Sequence, residues 1–213
     1  MKRWTMRLWL LMAVVVLAAC SDDDYHYPSV KLEFLTARSD AQGRLAQVTT
    51  DNGETYAVKQ DDSNLKVGAD STLRIVSQYE LLAEGVRLYA VGSPVSPQPV
   101  TADAFKEGVV TDPVEPVSIW KGWQYLNLMV QVREPQGVHR FHFVEKKFEQ
   151  GELHLLLYHK AENYTQAYHQ RVYLSIPLAG YLSRMETDDL QVSLTIHTYE
   201  GEITQTFHYH KQP

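Results

Sequence analysis

After residue 28 no stretch of this chain sustains a 3.6-residue apolar period, whereas many stretches alternate with a period of two. A period of two sends successive side chains to opposite faces, so these stretches read as half-buried strands and the fold as all-β. The clearest case interleaves Leu126, Leu128, Val130 and Val132 with Tyr125, Asn127, Met129 and Gln131. Strands are also expected at Val117–Trp120, His139–Glu145, Glu152–His159, Arg171–Ile176, Leu190–Tyr199 and Glu202–His210. With 126–132 these make seven strands, a count and spacing that suit a β-sandwich.

The first half is shorter-stranded. Val30, Leu32 and Phe34 share a face, and Arg44–Thr50 and Thr55–Lys59 flank Asp51-Asn52-Gly53. Those three residues tolerate positive φ and mark a hairpin. Leu73, Ile75 and Tyr79 line a fourth strand, and Val86, Leu88 and Ala90 a fifth. Five strands in so little chain suit a small closed barrel of the OB type, because closure removes exposed edges. Three prolines at 94, 97 and 99 end any ladder there, and a short helical turn capped by Thr101 is expected over Thr101–Glu107. Asp112-Pro113-Val114-Glu115-Pro116 reads as a second break. The expected division is an OB-like barrel over 30–111 and a sandwich over 112–213.

The N-terminus is organised differently. Lys2, Arg3 and Arg7 precede an apolar run from Leu8 to Ala19. That run falls short of the ~20 residues of a spanning helix, so residues 1–19 read as a signal peptide. It ends in Leu17-Ala18-Ala19-Cys20, which resembles the lipobox of bacterial lipoproteins. The resemblance implies a covalent lipid on Cys20 and a membrane anchor; no other cofactor is expected. Cys20 is the one cysteine among 213 residues, so no disulfide framework exists. Without residues 1–19 the chain keeps 17 of its 20 Lys+Arg and all 26 Asp+Glu, a net of −9 against −6 for the whole. Ser21, Asp22, Asp23 and Asp24 begin an acidic tether over 20–29. They resemble the signal that carries some lipoproteins to the outer face of the outer membrane; the alternative is a solvated, self-repelling linker on the periplasmic face.

Eight of the nine histidines fall between 139 and 210. His208 and His210 share one strand face, the spacing that a two-ligand metal site exploits. A two-residue loop at Glu200-Gly201 places His208 opposite Ser193, His210 opposite Gln191 and His197 opposite Thr204. His197 then lies roughly 13 Å from His208 along the strand, too far to share an ion. Exposed strand histidines and no metal are expected, with His208 and His210 as the alternative. His139 and His142 differ in strand parity, as do His154 and His159, so neither pair shares a face.

No Gly-x-Ser-x-Gly elbow, His-Glu-x-x-His helix or Gly-rich phosphate loop is present, and no carboxylate pair stands apart in an apolar setting. A non-enzymatic binding or accessory protein is the expectation, and an envelope-glycan hydrolase or lyase the alternative. Residues 30–111 carry 8 Lys+Arg and 11 Asp+Glu, the wrong sign for a groove that tracks nucleic acid. Trp120, Trp123 and Tyr125 are the candidate binding aromatics, able to stack on a sugar or anchor a partner if exposed together. Otherwise Trp120 plugs the domain junction and Trp123 covers the sandwich edge.

Read as one stretch, Asp112-Pro-Val-Glu-Pro-Val-Ser-Ile-Trp-Lys-Gly-Trp-Gln-Tyr-Leu-Asn-Leu128 resembles the NigD-like lipoproteins. Ile119-Trp120, Tyr125-Leu126-Asn127-Leu128, His139–Phe143, Leu157–Ala161, Tyr199-Glu200-Gly201 and Thr50-Asp51-Asn52-Gly53 carry the likeness. Lys160 stands where the family favours Asn, and Glu200 where it favours Asp. The resemblance implies an OB-type domain, then a β-sandwich, behind a lipoprotein signal. It brings no catalytic residues, and the family's association with a bacteriocin gene cluster implies an immunity-type role as a further alternative. The partner expected is an unknown envelope protein or glycan, with the membrane reached through the lipid.

Overall fold

The computed structural model describes residues 28–133, 137–162, 169–185 and 188–210. The anchor and tether residues Cys20, Ser21, Asp22, Asp23 and Asp24 lie outside the described residues.

Strands β1 (Val30–Ser39), β2 (Leu45–Thr50), β3 (Thr55–Asp61), β4 (Thr72–Leu82) and β5 (Gly85–Gly92) close into a barrel in the order β1-β2-β3-β5-β4. Parallel pairing of β3 with β5 completes the closure, so the expected small barrel is present. Leu35, Ala37, Val48, Ile75, Val86 and Leu88 fill it and are fully buried. In β1 the consecutive residues Phe34 and Leu35 are both buried. Alternation sends only one of them into the barrel; Phe34 is covered from outside, by the second half of the chain.

The two-residue strand β6 (Val100–Thr101) leads to β7 (Glu115–Lys121), β8 (Tyr125–Val132), β9 (Val138–Glu149) and β10 (Glu152–Glu162). Then come β11 (Gln170–Pro177), β12 (Asp189–Thr198) and β13 (Gly201–His210). One sheet runs β13-β12-β10-β9-β6 and the other β11-β8-β7. Between them Leu126, Leu128, Val130, Leu153, Leu155, Leu174 and Leu194 form a continuous core. This is the expected seven-strand sandwich with β6 added at an edge. Sequence reading misses β6 and the single-turn helix α1 (Ala179–Arg184), each too short to show a period.

The expected boundary at 111/112 is displaced toward the N-terminus. Val95 N–H donates to Tyr173 O at 2.9 Å and Ser175 N–H to Val95 O at 3.0 Å. β6 pairs in parallel with β9 at Val144 and Glu145. Residues 110–114 then enter the fork where β10 and β12 diverge, bridging Thr111 to His159 and Val114 to Thr198. Val114 is fully buried in the sandwich core. The prolines end the barrel ladder as expected, but the residues between them keep their N–H and C=O groups and add to sandwich edges. The turn after β6 is a three-residue 3-10 turn, Ala102–Ala104, and the Thr101 hydroxyl bonds the Asp103 side chain instead of capping the backbone.

The last hairpin also differs from expectation, by two residues. Thr198 pairs with Gly201, so the loop is Tyr199-Glu200. Gly201, at φ +127°, follows the turn and is not part of it. His208 therefore faces Gln191 and His210 faces Asp189, while His197 faces Glu202. An even shift preserves the faces, so Val192, Leu194 and Tyr209 point into the core as expected.

A fragment of residues 93–213 keeps the Val95, β6 and 110–114 pairings, whereas one of residues 112–213 loses them. Because each such backbone bond contributes about 1 kcal/mol, the shorter fragment should be less stable by at least about 3 kcal/mol in urea unfolding.

Candidate functional site

Arg74 projects from the outer face of β4 and is 8% exposed. Its Nη2 donates to both carboxylate oxygens of Asp51, at 2.6 and 2.7 Å, and to Asn127 Oδ1 at 3.1 Å. Its Nε donates to Ser175 Oγ at 3.1 Å and its Nη1 to Thr36 Oγ1 at 3.3 Å. Asn127 Nδ2 returns a 2.7 Å bond to Asp51 Oδ2, and Ser175 Oγ donates to Asn127 Oδ1 at 2.7 Å. The guanidinium carbon lies 3.9 Å from the centre of the Tyr125 ring, a cation–π contact. Three of these residues belong to the barrel and three to the sandwich sheet β11-β8-β7. A buried charge persists only when it is paired and its hydrogen-bonding capacity is used, and this arrangement does both across the domain junction.

Two glycines permit the close approach. A Cβ on Gly53, at φ +85°, would lie 2.1 Å from the Trp123 ring. A Cβ on Gly122 would lie 2.6 Å from the Asp51 carboxyl. The β2–β3 turn and the β7–β8 turn are thus pressed together beside Arg74.

Away from this contact the outer faces of β1 and β4 separate from those of β7, β8 and β11, leaving a cleft of ≈ 480 Å³. Phe34 stands edge-on to both Trp120 and Tyr173, with ring centroids 5.3 and 5.9 Å away. Leu32, Val76 and Met129 add apolar wall, and Lys121 and Arg171 add cations. A shallower groove of ≈ 270 Å³ continues past Leu32, Val76 and Tyr173 toward Pro94.

Residues 96–209 match the NigD-like C-terminal beta sandwich domain. A NigD-like immunity protein from Bacteroides caccae is 32% identical, with a TM-score of 0.75, over 88% of this chain and 100% of that one. The chain belongs to the NigD-like family. A protein of unknown function from Bacteroides vulgatus, 18% identical, shares the fold over 87% of this chain and 95% of that one, with a TM-score of 0.68. So does a proposed lipoprotein from Bacteroides fragilis, 14% identical, over 87% of this chain and 99% of that one, with a TM-score of 0.59. Comparison with curated proteins finds no match. In this NigD-like chain the motif residues Asp51, Gly53 and Asn127 are the pieces that lock barrel to sandwich.

The three candidate aromatics do not form one exposed surface. Trp120 lines the cleft at the domain junction. Trp123, 36% exposed, lies over Gly53 of the barrel rather than along the sandwich edge. Tyr125 lies against the Arg74 guanidinium. The residues sequence reading misses are Arg74, Arg171 and Tyr173. Each occupies an outward strand position that alternation reads as solvent-facing, and only the second domain's presence reveals otherwise.

His208 and His210 are exposed, and His210 is engaged with Asp189 across the hairpin. Among the described residues no set of three or more His, Cys, Asp or Glu groups converges on a common point. The histidines that do meet are His139 and His159, on neighbouring strands, with Nδ1 of the first 2.9 Å from Nε2 of the second. His159 Nδ1 lies 3.0 Å from Asp112 O, an acceptor only, so that nitrogen carries the proton and Nε2 accepts from His139. Phe141 stacks on His159 at 4.5 Å. This pair holds the 110–114 segment in its fork.

Replacing Asp51 with Ala leaves the Arg74 charge buried and unpaired. It should cost about 3–5 kcal/mol, and the double change Asp51→Ala with Arg74→Met distinctly less, by urea unfolding. His159 is 2% exposed, and burial holds its pKa below the ordinary 6.5. The unfolded chain therefore takes up this proton first as pH falls. Its stabilising contribution is complete above about pH 6.5 and declines below that, toward the lowered folded value. In His159→Gln the dependence of unfolding free energy on pH in that range should flatten.

Proposed function

We propose that this NigD-like protein is a lipid-anchored component of the bacterial cell envelope that binds a partner through the cleft between barrel and sandwich. The observation that carries the binding reading is the cleft itself, walled by Phe34, Trp120 and Tyr173 and fixed at one end by the Arg74 contact. Concave, largely apolar sites with a few charged groups are where ligands are held. The cleft's carboxylates favour binding over catalysis: Asp51 is held by Arg74 and Asn127, and Glu33 accepts the Tyr79 hydroxyl at 2.7 Å. Anchoring is supported by the positive start, the short apolar run and Leu17-Ala18-Ala19-Cys20. Ser21-Asp22-Asp23-Asp24 favours the outer face of the outer membrane over the periplasmic face.

Immunity is a second reading, favoured by the Bacteroides caccae immunity protein at 32% identity. On that reading the cleft's partner is a toxin or its target.

Metabolic labelling with palmitate should mark the native protein and not the Cys20→Ser variant, which should leave the membrane fraction. An unlabelled native protein would remove the anchor. A photo-crosslinking residue at Leu32 should capture a partner in intact cells, while one at exposed Lys66, on the barrel's far end, should not. Capture at Lys66 alone would remove the cleft from the reading.

A further inference from the structure

The wall of the cleft contains an open strand edge. β1 pairs with β4 from Val30 to Arg38, but with β2 only from Leu35 to Ser39. β2 ends at Thr50, and the turn through Asp51-Asn52-Gly53 carries the chain away to β3. Among the described residues no strand lies beside the β2-side edge of Val30–Phe34. An unpaired edge presents a row of backbone donors and acceptors at the spacing of another strand. Leu32, Glu33 and Phe34 line the cleft, so this row borders it.

The side chains around the edge have a definite chemistry. Leu32 is 55% exposed and Val30 46%, although both alternate on the apolar side of β1. Arg171 makes no hydrogen bond or ion pair with the described residues, and Lys121 Nζ donates to a neutral acceptor, His208 O, at 2.9 Å. Asp51 is neutralised by Arg74, which leaves two cations against the single charge of Glu33. The cleft therefore carries a positive excess on a chain whose net charge is −6.

We infer that the cleft takes an extended, acidic polypeptide segment, added as a strand to the β1 edge at residues 30–34. This rests on the binding reading above and names its partner's chemistry. The segment's backbone pairs with β1. Its side chains on the cleft face, at every second residue, lay apolar groups on Leu32 and Phe34 and carboxylates against Arg171 and Lys121. Strand addition draws affinity from main-chain bonds and specificity from alternate side chains, and the edge and the flanking walls supply one each. A glycan fits less well. It needs open aromatic faces and free carboxylates, whereas Trp120 and Tyr173 are packed on Phe34, Asp51 is held by Arg74, and Glu33 accepts the Tyr79 hydroxyl.

The test uses the full chain purified in detergent and fluorescence anisotropy with four labelled probes. They are a dodecapeptide of three Glu-Thr-Val-Thr repeats, which puts glutamate and valine on one face, its counterpart with lysine for glutamate, the glutamate peptide N-methylated at alternate residues, and oligogalacturonate. The glutamate–valine peptide should bind at least about tenfold more tightly than the lysine–valine one, and Arg171→Glu should reverse that order. N-methylation, which removes backbone donors and leaves side chains intact, should weaken binding about tenfold. Leu32→Glu should abolish binding without changing the urea midpoint. Equal binding of the N-methylated peptide, or binding of oligogalacturonate alone, would overturn the inference. Binding of no probe would also overturn it, while capture from the Leu32 position in cells would still uphold the broader binding reading.

Discussion

One guanidinium determines how the two halves of this molecule meet. Arg74 lies where the outer wall of a barrel presses on the outer face of a sandwich sheet, and its donors are divided between Asp51 and Thr36 on one side and Asn127 and Ser175 on the other. Removing any one partner leaves charge or a hydrogen-bonding group buried without compensation, so the group behaves as a unit. The polar residues hold the two domains together. Asn127 and Ser175 are fully buried because they receive a cation from another domain.

The strand pattern was legible because each strand keeps one face in a core of its own. Leu126, Leu128 and Val130 announce the sandwich, and Leu73, Ile75 and Val86 the barrel, by local periodicity alone. What periodicity conceals is a second burial, on the faces turned away from those cores. Arg74, Met129 and Tyr173 occupy positions that look solvent-facing within their own strands, whereas Phe34 reads with Val30 and Leu32 as the core side of β1 and instead faces out of the barrel, Leu35 and Ala37 turning inward. They are covered only because two independently patterned sheets are placed side by side. The family motifs held the missing information without displaying its use: Asp51-Asn52-Gly53 read as a hairpin turn and Asn127 as an outward strand residue, and both are parts of the junction.

The proline-rich segment gave the other difference between sequence and structure. Prolines at 94, 97, 99, 113 and 116 read as breaks, and they do end the barrel ladder. Between them Val95, Val100 and Val114 still carry complete backbone groups: Val95 and Val100 are drawn onto sandwich edges and Val114 into the fork between β10 and β12. The segment that sequence reading assigns to the first domain thus dresses the second. The last hairpin shows a milder version of the same limit, since one glycine is compatible with two registers and only the closing pair decides between them.

The β1 face that grips Arg74 through Thr36 also lines the cleft with Leu32 and Phe34, and this has a mechanical consequence. The cleft behaves like a calliper with a fixed jaw: opening or closing it means breaking the guanidinium's bonds, lifting Trp123 from Gly53 and stripping Val95 from β11. Such a jaw has no closing motion of its own. On the proposed binding reading, selectivity would then fall on the fit of what enters and exchange on diffusion and release, with no gating step between them.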